Sequence, residues 1–182
     1  MLGARSQPRR IRRSEYDALA RLGSFAGERV ELIEGEILVR TPIGPPHADA
    51  VDLLGEALIE RLGKRARVRT QQPFVASDFS EPEPDIAVVA RQSCGDAHPS
   101  EAFLIVEVAE SSLDDDRQVK APVYARCGVP EYWIVDVAAS TVEVYTQARA
   151  GRYEQMTVHH KGEPIRLVAF PDVELDPAAF LR

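Results

Sequence analysis

Residues 103–120, "FLIVEVAESSLDDDRQVK", join an apolar, strand-like run to an acidic, helix-like segment, and this stretch decides the fold. One carboxylate, Glu107, interrupts the run between Val106 and Val108. A charge buried in a strand costs free energy unless another group compensates it. Lys120, farther along the chain, is a candidate for that compensation. The stretch therefore raises the question of what a buried acid and a later lysine do together.

Other segments predict a sheet around this stretch. Nearly continuous apolar runs are typical of central strands that are buried on both faces. Apolar residues recurring at helical spacing from His47 predict a helix that ends at Gly63. The predicted interior strands cover residues 67–76, 84–90, 102–109 and 131–137. We therefore predict an α/β fold with a mixed sheet flanked by helices.

Further elements are predicted at the two ends of the chain. Residues 29–40 predict a hairpin that turns at Glu34-Gly35, and residues 141–160 predict a β-meander. A short strand near 165–168 and a helical turn from Pro177 follow it. We expect a basic arm over residues 1–13 and one domain over residues 14–182.

Two helix boundaries depend on single residues. Ser14 with Asp17 resembles a capping box that opens a helix reaching about Leu22. Ser112 or Asp114 could cap the helix after residue 109, and Gly128 closes it. Pro122 should bend that helix or end it early.

Composition narrows the class of protein. The 182 residues are 45% hydrophobic, which predicts an ordinary globular domain. No apolar run approaches the roughly 20 residues of a membrane span, and no apolar signal region follows the basic start. We therefore expect a cytoplasmic protein with no membrane partner. Cys94 and Cys127 stand far apart and form no metal-ligand pattern.

The net charge of −7 argues against nonspecific coating of nucleic acid. An acidic metal site would itself contribute negative charge, so a nuclease stays possible. Two groups of cations could contact phosphate, although the second also suits the C-terminal end of a helix. These groups are Arg5, Arg9, Arg10, Arg12 and Arg13 in the arm, and Arg61, Lys64, Arg65, Arg67 and Arg69.

Asp85 and Glu107 are the informative polar residues of the central strands. If their strands are antiparallel, the start of one lies beside the end of the other, and both acids face one end of the sheet. Close carboxylates repel unless a cation lies between them, and Mg²⁺ takes oxygen ligands. A metal held there could polarise a phosphodiester and orient a water.

Lys120 could reach back over the strand end to neutralise charge or hold that water. Tyr124 lies four residues on, on the same helix face. Each residue also has an ordinary interpretation. Asp85 could be a solvated strand start, Glu107 could pair with Lys120 or an arginine, and Lys120 could be a solvated helix residue.

Several motifs in a fixed order closely resemble the Uma-type restriction endonuclease family of the PD-(D/E)XK nuclease superfamily, formerly a domain of unknown function. The resemblance covers residues 28–146, and residues 152–154 and 170–176 fit the usual tail. The run "KAPVYARCGVPEYWIVD" at 120–136 is its most specific part. The motifs are "ELIEGE", "EPDIAVV", "LIVEVAESS", "DRQVK" and "YARCGVPEYWIVD".

This resemblance implies a restriction-endonuclease-like fold with a Mg²⁺- or Mn²⁺-dependent site that cleaves DNA. Pro84-Asp85 matches the "PD" and Glu107 the "(D/E)" of the superfamily motif. Ala109 stands where that motif has its lysine, and Lys120 matches the family's displaced lysine. Glu31 and His47 match recurrent family positions, as an additional acid of the metal site and a substrate or water contact; capping of the helix is the alternative for His47.

The alternative function is a catalytically inactive module that keeps the nuclease fold for DNA or protein binding. No helix-turn-helix or zinc-finger signature is recognisable that would read bases. Glycoside hydrolysis by two carboxylates lacks an aromatic platform, since Trp133 is the only tryptophan. Ser111-Ser112 lacks the nucleophile-elbow motif. A two-strand cut favours a homodimer.

Overall fold

The computed structural model describes residues 8–92, 95 and 97–182. Arg5 of the basic arm and Cys94 lie outside these residues. The helices are α1 (Arg13–Arg21), α2 (Pro45–Leu62), α3 (Leu113–Asp115) and α4 (Ala121–Arg126), with a π-helical turn over Asp116–Lys120 and a 3₁₀ turn over Pro177–Ala179. The strands are β1 (Val30–Ile33), β2 (Glu36–Val39), β3 (Arg67–Thr70), β4 (Ile86–Val89), β5 (Leu104–Ala109), β6 (Glu131–Asp136), β7 (Thr141–Arg149), β8 (Arg152–His159), β9 (Ile165–Arg166) and β10 (Glu174–Leu175).

A six-stranded mixed sheet in the order β3-β4-β5-β6-β7-β8 forms the centre. β5 and β6 are parallel, and α3, the π-helical turn and α4 connect them; the other neighbouring pairs are antiparallel. The predicted α/β fold class is confirmed. β4 and β5 are antiparallel, which is the condition under which Asp85 and Glu107 lie at one end of the sheet.

Alternation along the central strands divides the core into two layers. Val106 and Val108 face the apolar side of α2, which carries the fully buried Leu54 and Leu58. Ile105 and Ala109 face the opposite layer with α4. Since side chains alternate along a strand, Glu107 belongs to this second face.

Local signals explain most element boundaries. Gly63 ends α2 as predicted. The helix begins at Pro45, two residues before the predicted start at His47, because proline suits the first helical positions. β1 and β2 form the predicted hairpin at Glu34-Gly35. β3 stops at Thr70, well before residue 76, and the next residue, Gln71, has a positive φ of 49°.

The capping box predicted for the first helix was wrong. Helix α1 begins at Arg13, and the Glu15 carboxylate accepts the backbone N–H of Arg12 at 3.0 Å, so Ser14 and Asp17 form no capping box. The short strand predicted near 165–168 is present as the two-residue β9, which pairs with β10, a strand that was not predicted.

Pro122 does not end the helix after β5. A proline lacks the N–H that an α-helical turn needs at that position. The chain instead widens into the π-helical turn, where Ala121 N–H donates to Asp116 O, and continues as α4. No helix among the described residues is long and apolar enough to cross a membrane.

Candidate active site

A cavity of about 580 Å³ lies between the β1–β2 hairpin, the start of α2, the ends of β4 and β5, and the π-helical turn. Arg40, His47 and Lys120 line it together with an excess of acids. We call it the acidic cavity. Its carboxylates belong to Glu31, Glu34, Glu36, Asp85, Glu107, Glu110, Asp115 and Asp116.

Asp85 and Glu107 reach this cavity from neighbouring strands. The β4–β5 register pairs Ile86 with Val106, so Asp85, one residue before β4, comes beside Glu107. Both side chains are 1% exposed and line the cavity. Asp85 is therefore not a solvated strand start.

Lys120 lies among three carboxylates. Its Nζ is 3.1 Å from Glu107 Oε2, 3.4 Å from Asp116 Oδ1 and 3.8 Å from Glu31 Oε1. Burial alone would lower the pKa of Lys120, but the attraction of these carboxylates raises it overall. Lys120 is thus a buried ammonium group that stays protonated, and it is not a solvated helix residue.

Tyr124 contacts Glu107 from behind the cavity. Its hydroxyl donates to Glu107 Oε1 at 2.6 Å, and its side chain is fully buried. Tyr124 is absent from the residues that line the acidic cavity. Its place is therefore that of a group that orients Glu107 and does not face a substrate.

Asp85 is held by its neighbours on both oxygens. Oδ1 lies 3.2 Å from His47 Nε2 and 3.5 Å from Arg40 Nη2, while Oδ2 accepts the backbone N–H of Val108 at 2.9 Å. Burial would raise the pKa of Asp85, but the contacts with His47, Val108 and Arg40 lower it overall. Asp85 is accordingly an ionised carboxylate.

Glu31, in β1 of the hairpin, is another buried acid of the cavity. It is 5% exposed, and its Oε2 accepts the backbone N–H of Glu83 at 3.3 Å. We call the buried end of the cavity, where Glu31, Asp85, Glu107, Asp116, Arg40 and Lys120 lie, its floor. The structure thus brings Glu31, His47, Asp85, Glu107 and Lys120 to one cavity.

Two residues of the site were not predicted from the sequence. Arg40, at the end of the hairpin, donates to Glu83 O and lies against Asp85. No pattern in the sequence indicates that role. Asp116, in the π-helical turn, is 1% exposed and contacts Lys120. The four-residue spacing between them could have indicated this contact.

The cavity floor contains more acidic side chains than basic ones. Four buried carboxylates, those of Glu31, Asp85, Glu107 and Asp116, face the cations Arg40 and Lys120 in the described part of the chain. Burial, with a contribution from Asp85, raises the pKa of Glu107 to about 8 despite Lys120. A large share of Glu107 is therefore protonated at neutral pH, and a divalent cation bound by carboxylate oxygens would favour its ionised form.

The side chains as placed do not enclose an ion fully. Among residues 8–92, 95 and 97–182, no group of three or more His, Cys, Asp and Glu side chains could hold a metal ion. Mg²⁺ is commonly bound by one or two carboxylates and keeps several waters. Asp85 and Glu107 fit that smaller ligand set.

A mixed sheet with buried acids on adjacent strands and a lysine over them places the protein in the class of nuclease-like α/β folds. Residues 13–178 match the model of the Uma2 family, described as "Putative restriction endonuclease". The chain belongs to the Uma2 family, and the resemblance seen in the sequence is confirmed.

A solved structure shares this fold. The crystal structure of a "putative nuclease belonging to DUF820" from Anabaena variabilis ATCC 29413 superposes with a TM-score of 0.70 at 15% sequence identity. The match covers 93% of this chain and 97% of that chain. No curated protein matches the chain at a significant level.

Proposed function

We propose that this chain is a metal-dependent endonuclease that hydrolyses phosphodiester bonds of DNA. One observation carries the proposal: Asp85, Glu107 and Lys120 come from three separate elements and line one cavity. The family assignment supports a nuclease, and the proposal includes the cytoplasm as its site of action.

Each residue has a role in the proposal. Asp85 and Glu107 would hold Mg²⁺ or Mn²⁺, and the ion would supply polarisation of the phosphate and activation of a water. Lys120 donates hydrogen bonds to the attacking water or the phosphate oxygens, since a protonated ammonium group cannot act as a base. Tyr124 orients Glu107, and Glu31 adds charge to the floor. His47 orients Asp85 and contacts water or substrate.

The proposed reaction is the hydrolysis of one phosphodiester bond by one water molecule. The oxygen of one water forms a bond to phosphorus, and the bond from phosphorus to one ester oxygen breaks. One proton of the water is transferred through solvent to the leaving oxygen. The products are a phosphate monoester and a free hydroxyl group, and the charge that develops on the phosphate oxygens lies beside the Lys120 ammonium.

Cleavage assays test this proposal directly. Purified protein is incubated with supercoiled plasmid, linear duplex, single-stranded DNA and RNA in Mg²⁺, Mn²⁺ or EDTA. We expect cleavage that EDTA abolishes and that Asp85→Asn, Glu107→Gln and Lys120→Ala each remove. Glu154→Gln, on the exposed strand β8, is the matched control and should keep activity. Equal activity of all variants, or none in the wild type, would contradict the proposal.

The second candidate function is an inactive nuclease-fold module. It is favoured by the contacts of Asp85, because Arg40, His47 and the Val108 N–H already engage both carboxylate oxygens. Calorimetric titration with Mn²⁺ separates the two functions. A nuclease should bind the ion in the wild type and lose it in Asp85→Asn, whereas an inactive module should bind none.

The proposal includes a homodimer. Among the described strands, β3 and β8 form the edges of the central sheet. β8 exposes Met156 (52%) and Val158 (46%), and an unpaired edge can join a second copy across a two-fold axis. Light scattering that gives the mass of one chain would contradict it.

A further inference from the structure

Apolar side chains surround the mouth of the acidic cavity. Leu38, Val39, Ile43 and Val119 line the cavity and are 39%, 63%, 38% and 36% exposed. We call them the apolar rim. They come from the end of the hairpin, the loop before α2 and the π-helical turn. Exposed apolar patches on a soluble domain commonly mark a binding surface, so the rim needs an apolar ligand group.

The charge distribution limits how many phosphates approach this mouth. Proteins that grip a duplex place many lysines and arginines against its two backbones. Here the exposed Glu36, Glu110 and Asp115 line the cavity instead, while Lys120 and Arg40 lie inside it. The acids at the entrance thus repel a run of phosphates, whereas Arg40 and Lys120 at the floor are the cavity-lining cations that a single phosphate can contact.

The arginines of the basic arm that the structure describes form ion pairs with acids of the same chain. Each of the four described ones forms an ion pair: Arg9 with Glu15, Arg10 with Glu34, Arg12 with Asp78, and Arg13 with Asp17 and Glu81.

The second basic group lies at the other end of α2. His47 and Arg61 are separated along this helix by about 21 Å at a rise of 1.5 Å per residue. None of the cations near Arg65 lines the acidic cavity. Among the described residues, therefore, no cation of either basic group lines the acidic cavity, and Arg10 comes nearest through its ion pair with the cavity-lining Glu34.

We propose that the substrate bound at this cavity is a single-stranded nucleic acid, with its unstacked bases on the apolar rim and one phosphate at the floor. The faces of bases are apolar and become accessible only when the strands are apart. A duplex hides those faces and presents two charged backbones, which suit neither the rim nor the acids. The cleavage part of this inference rests on the proposed nuclease function, whereas the binding preference stands separately.

Binding is measured by fluorescence anisotropy with one labelled oligonucleotide, used as a single strand and annealed to its complement, in EDTA and in Ca²⁺. We expect the single strand to bind at least about tenfold more tightly. Val39→Ser and Ile43→Ser should each weaken single-strand binding by about three- to tenfold, since each removes apolar contact area. Val168→Ser, at a 51% exposed valine that does not line the acidic cavity, is the matched control and should bind like the wild type.

Cleavage of the same oligonucleotides in Mn²⁺ separates this inference from the proposed function. Preferred binding of the single strand without cleavage would support the inference and contradict the nuclease. Cleavage with equal or tighter duplex binding would overturn the inference and leave the nuclease intact. Absence of binding to either form, or rim variants that bind like Val168→Ser, would also overturn it.

Discussion

The ammonium group of Lys120 lies 3.1 Å from Glu107 Oε2, and this contact joins the π-helical turn to the centre of the sheet. Both groups are nearly inaccessible to water, so each is the main compensation for the other's charge. A buried ion pair of this kind contributes little net stability, but breaking it leaves an uncompensated charge. The pair therefore affects folding and function together.

Lys120→Met should expose that dependence. We expect the free energy of unfolding to fall by about 3–5 kcal/mol, because Glu107 and Asp116 lose their shared cation. Urea denaturation measures this change. Lys64→Met removes an exposed lysine beyond the end of α2 and should stay within about 0.5 kcal/mol of the wild type.

A double variant distinguishes charge from packing. Adding Glu107→Gln to Lys120→Met removes the uncompensated carboxylate and should recover part of the lost stability. Cleavage should not return, since both groups have proposed roles in it. Lys120→Met with the stability of Lys64→Met would contradict the assigned contact.

Tyr124→Phe tests whether Tyr124 orients Glu107. The variant keeps the ring and loses the 2.6 Å hydrogen bond to Oε1. Groups that orient a metal ligand typically affect affinity about 10–100-fold, so the Mn²⁺ concentration for half-maximal cleavage should rise by about that factor. Titration of cleavage rate against Mn²⁺ measures it.

Tyr16→Phe is the matched control for that change. The buried Tyr16 hydroxyl donates at 2.9 Å to Val30 O, a backbone carbonyl, and not to Glu107. It should lower stability by about 1 kcal/mol and leave the Mn²⁺ dependence unchanged. An equal effect of the two variants on Mn²⁺ dependence would assign Tyr124 a purely structural role.

The sequence predicts the centre of the site better than its periphery. Asp85 and Glu107 are recognisable because charged residues are rare in apolar strands, and strand pairing then brings them together. Arg40 has no such signal, because it follows the hairpin in a segment without regular spacing. Its contact with Asp85 depends on how the hairpin packs against β4, which no local pattern encodes.

Some boundaries also needed tertiary information. β10 has only two residues and forms by pairing with β9, so the sequence contains no longer run of strand-forming residues that would predict it. The π-helical turn shows the opposite case. Pro122 signals a break in the α-helical hydrogen bonds, yet the helix continues past it. Lys120 and Tyr124, on the two sides of Pro122, both contact Glu107, and the sequence around Pro122 does not indicate these contacts.

Gly35→Ala should destabilise the hairpin that carries Glu31 and Arg40. Gly35 has a φ of +86°, and a Cβ there would lie 2.6 Å from the Cβ of Arg10. Gly23 has a similar φ of +76° with nothing within 4 Å, so Gly23→Ala carries the backbone strain alone. We expect about 1 kcal/mol for Gly23→Ala and about 2–4 kcal/mol for Gly35→Ala.

Chemical denaturation of the two glycine variants measures the difference. The excess cost of Gly35→Ala is the cost of the clash with the backbone-proximal atoms of Arg10. Equal losses of stability would mean that the segment before α1 moves away freely, and would contradict the close packing of Arg10 on the hairpin turn.

Glu131 gives the clearest pH dependence of folding. It is fully buried in β6, where Trp133 Nε1 and the Val168 N–H donate to its two oxygens, each at 2.9 Å. Burial outweighs these donors and raises the pKa of Glu131. The folded state therefore binds this proton more tightly than the unfolded state, whose glutamate pKa is about 4.3. Stability falls as pH rises from that value through the raised folded pKa, and levels off above it.

Glu131→Gln should remove this contribution because glutamine does not titrate. Relative to the wild type, its free energy of unfolding should increase as pH rises from about 4 through the folded pKa, because only the wild type loses stability over that range. Urea denaturation at a series of pH values measures that relative change, whatever constant cost arises from turning one acceptor into an amide donor. Glu154→Gln, exposed on β8, controls for the loss of one surface charge. A wild type that gains stability over Glu131→Gln with rising pH would mean that the two donors outweigh burial.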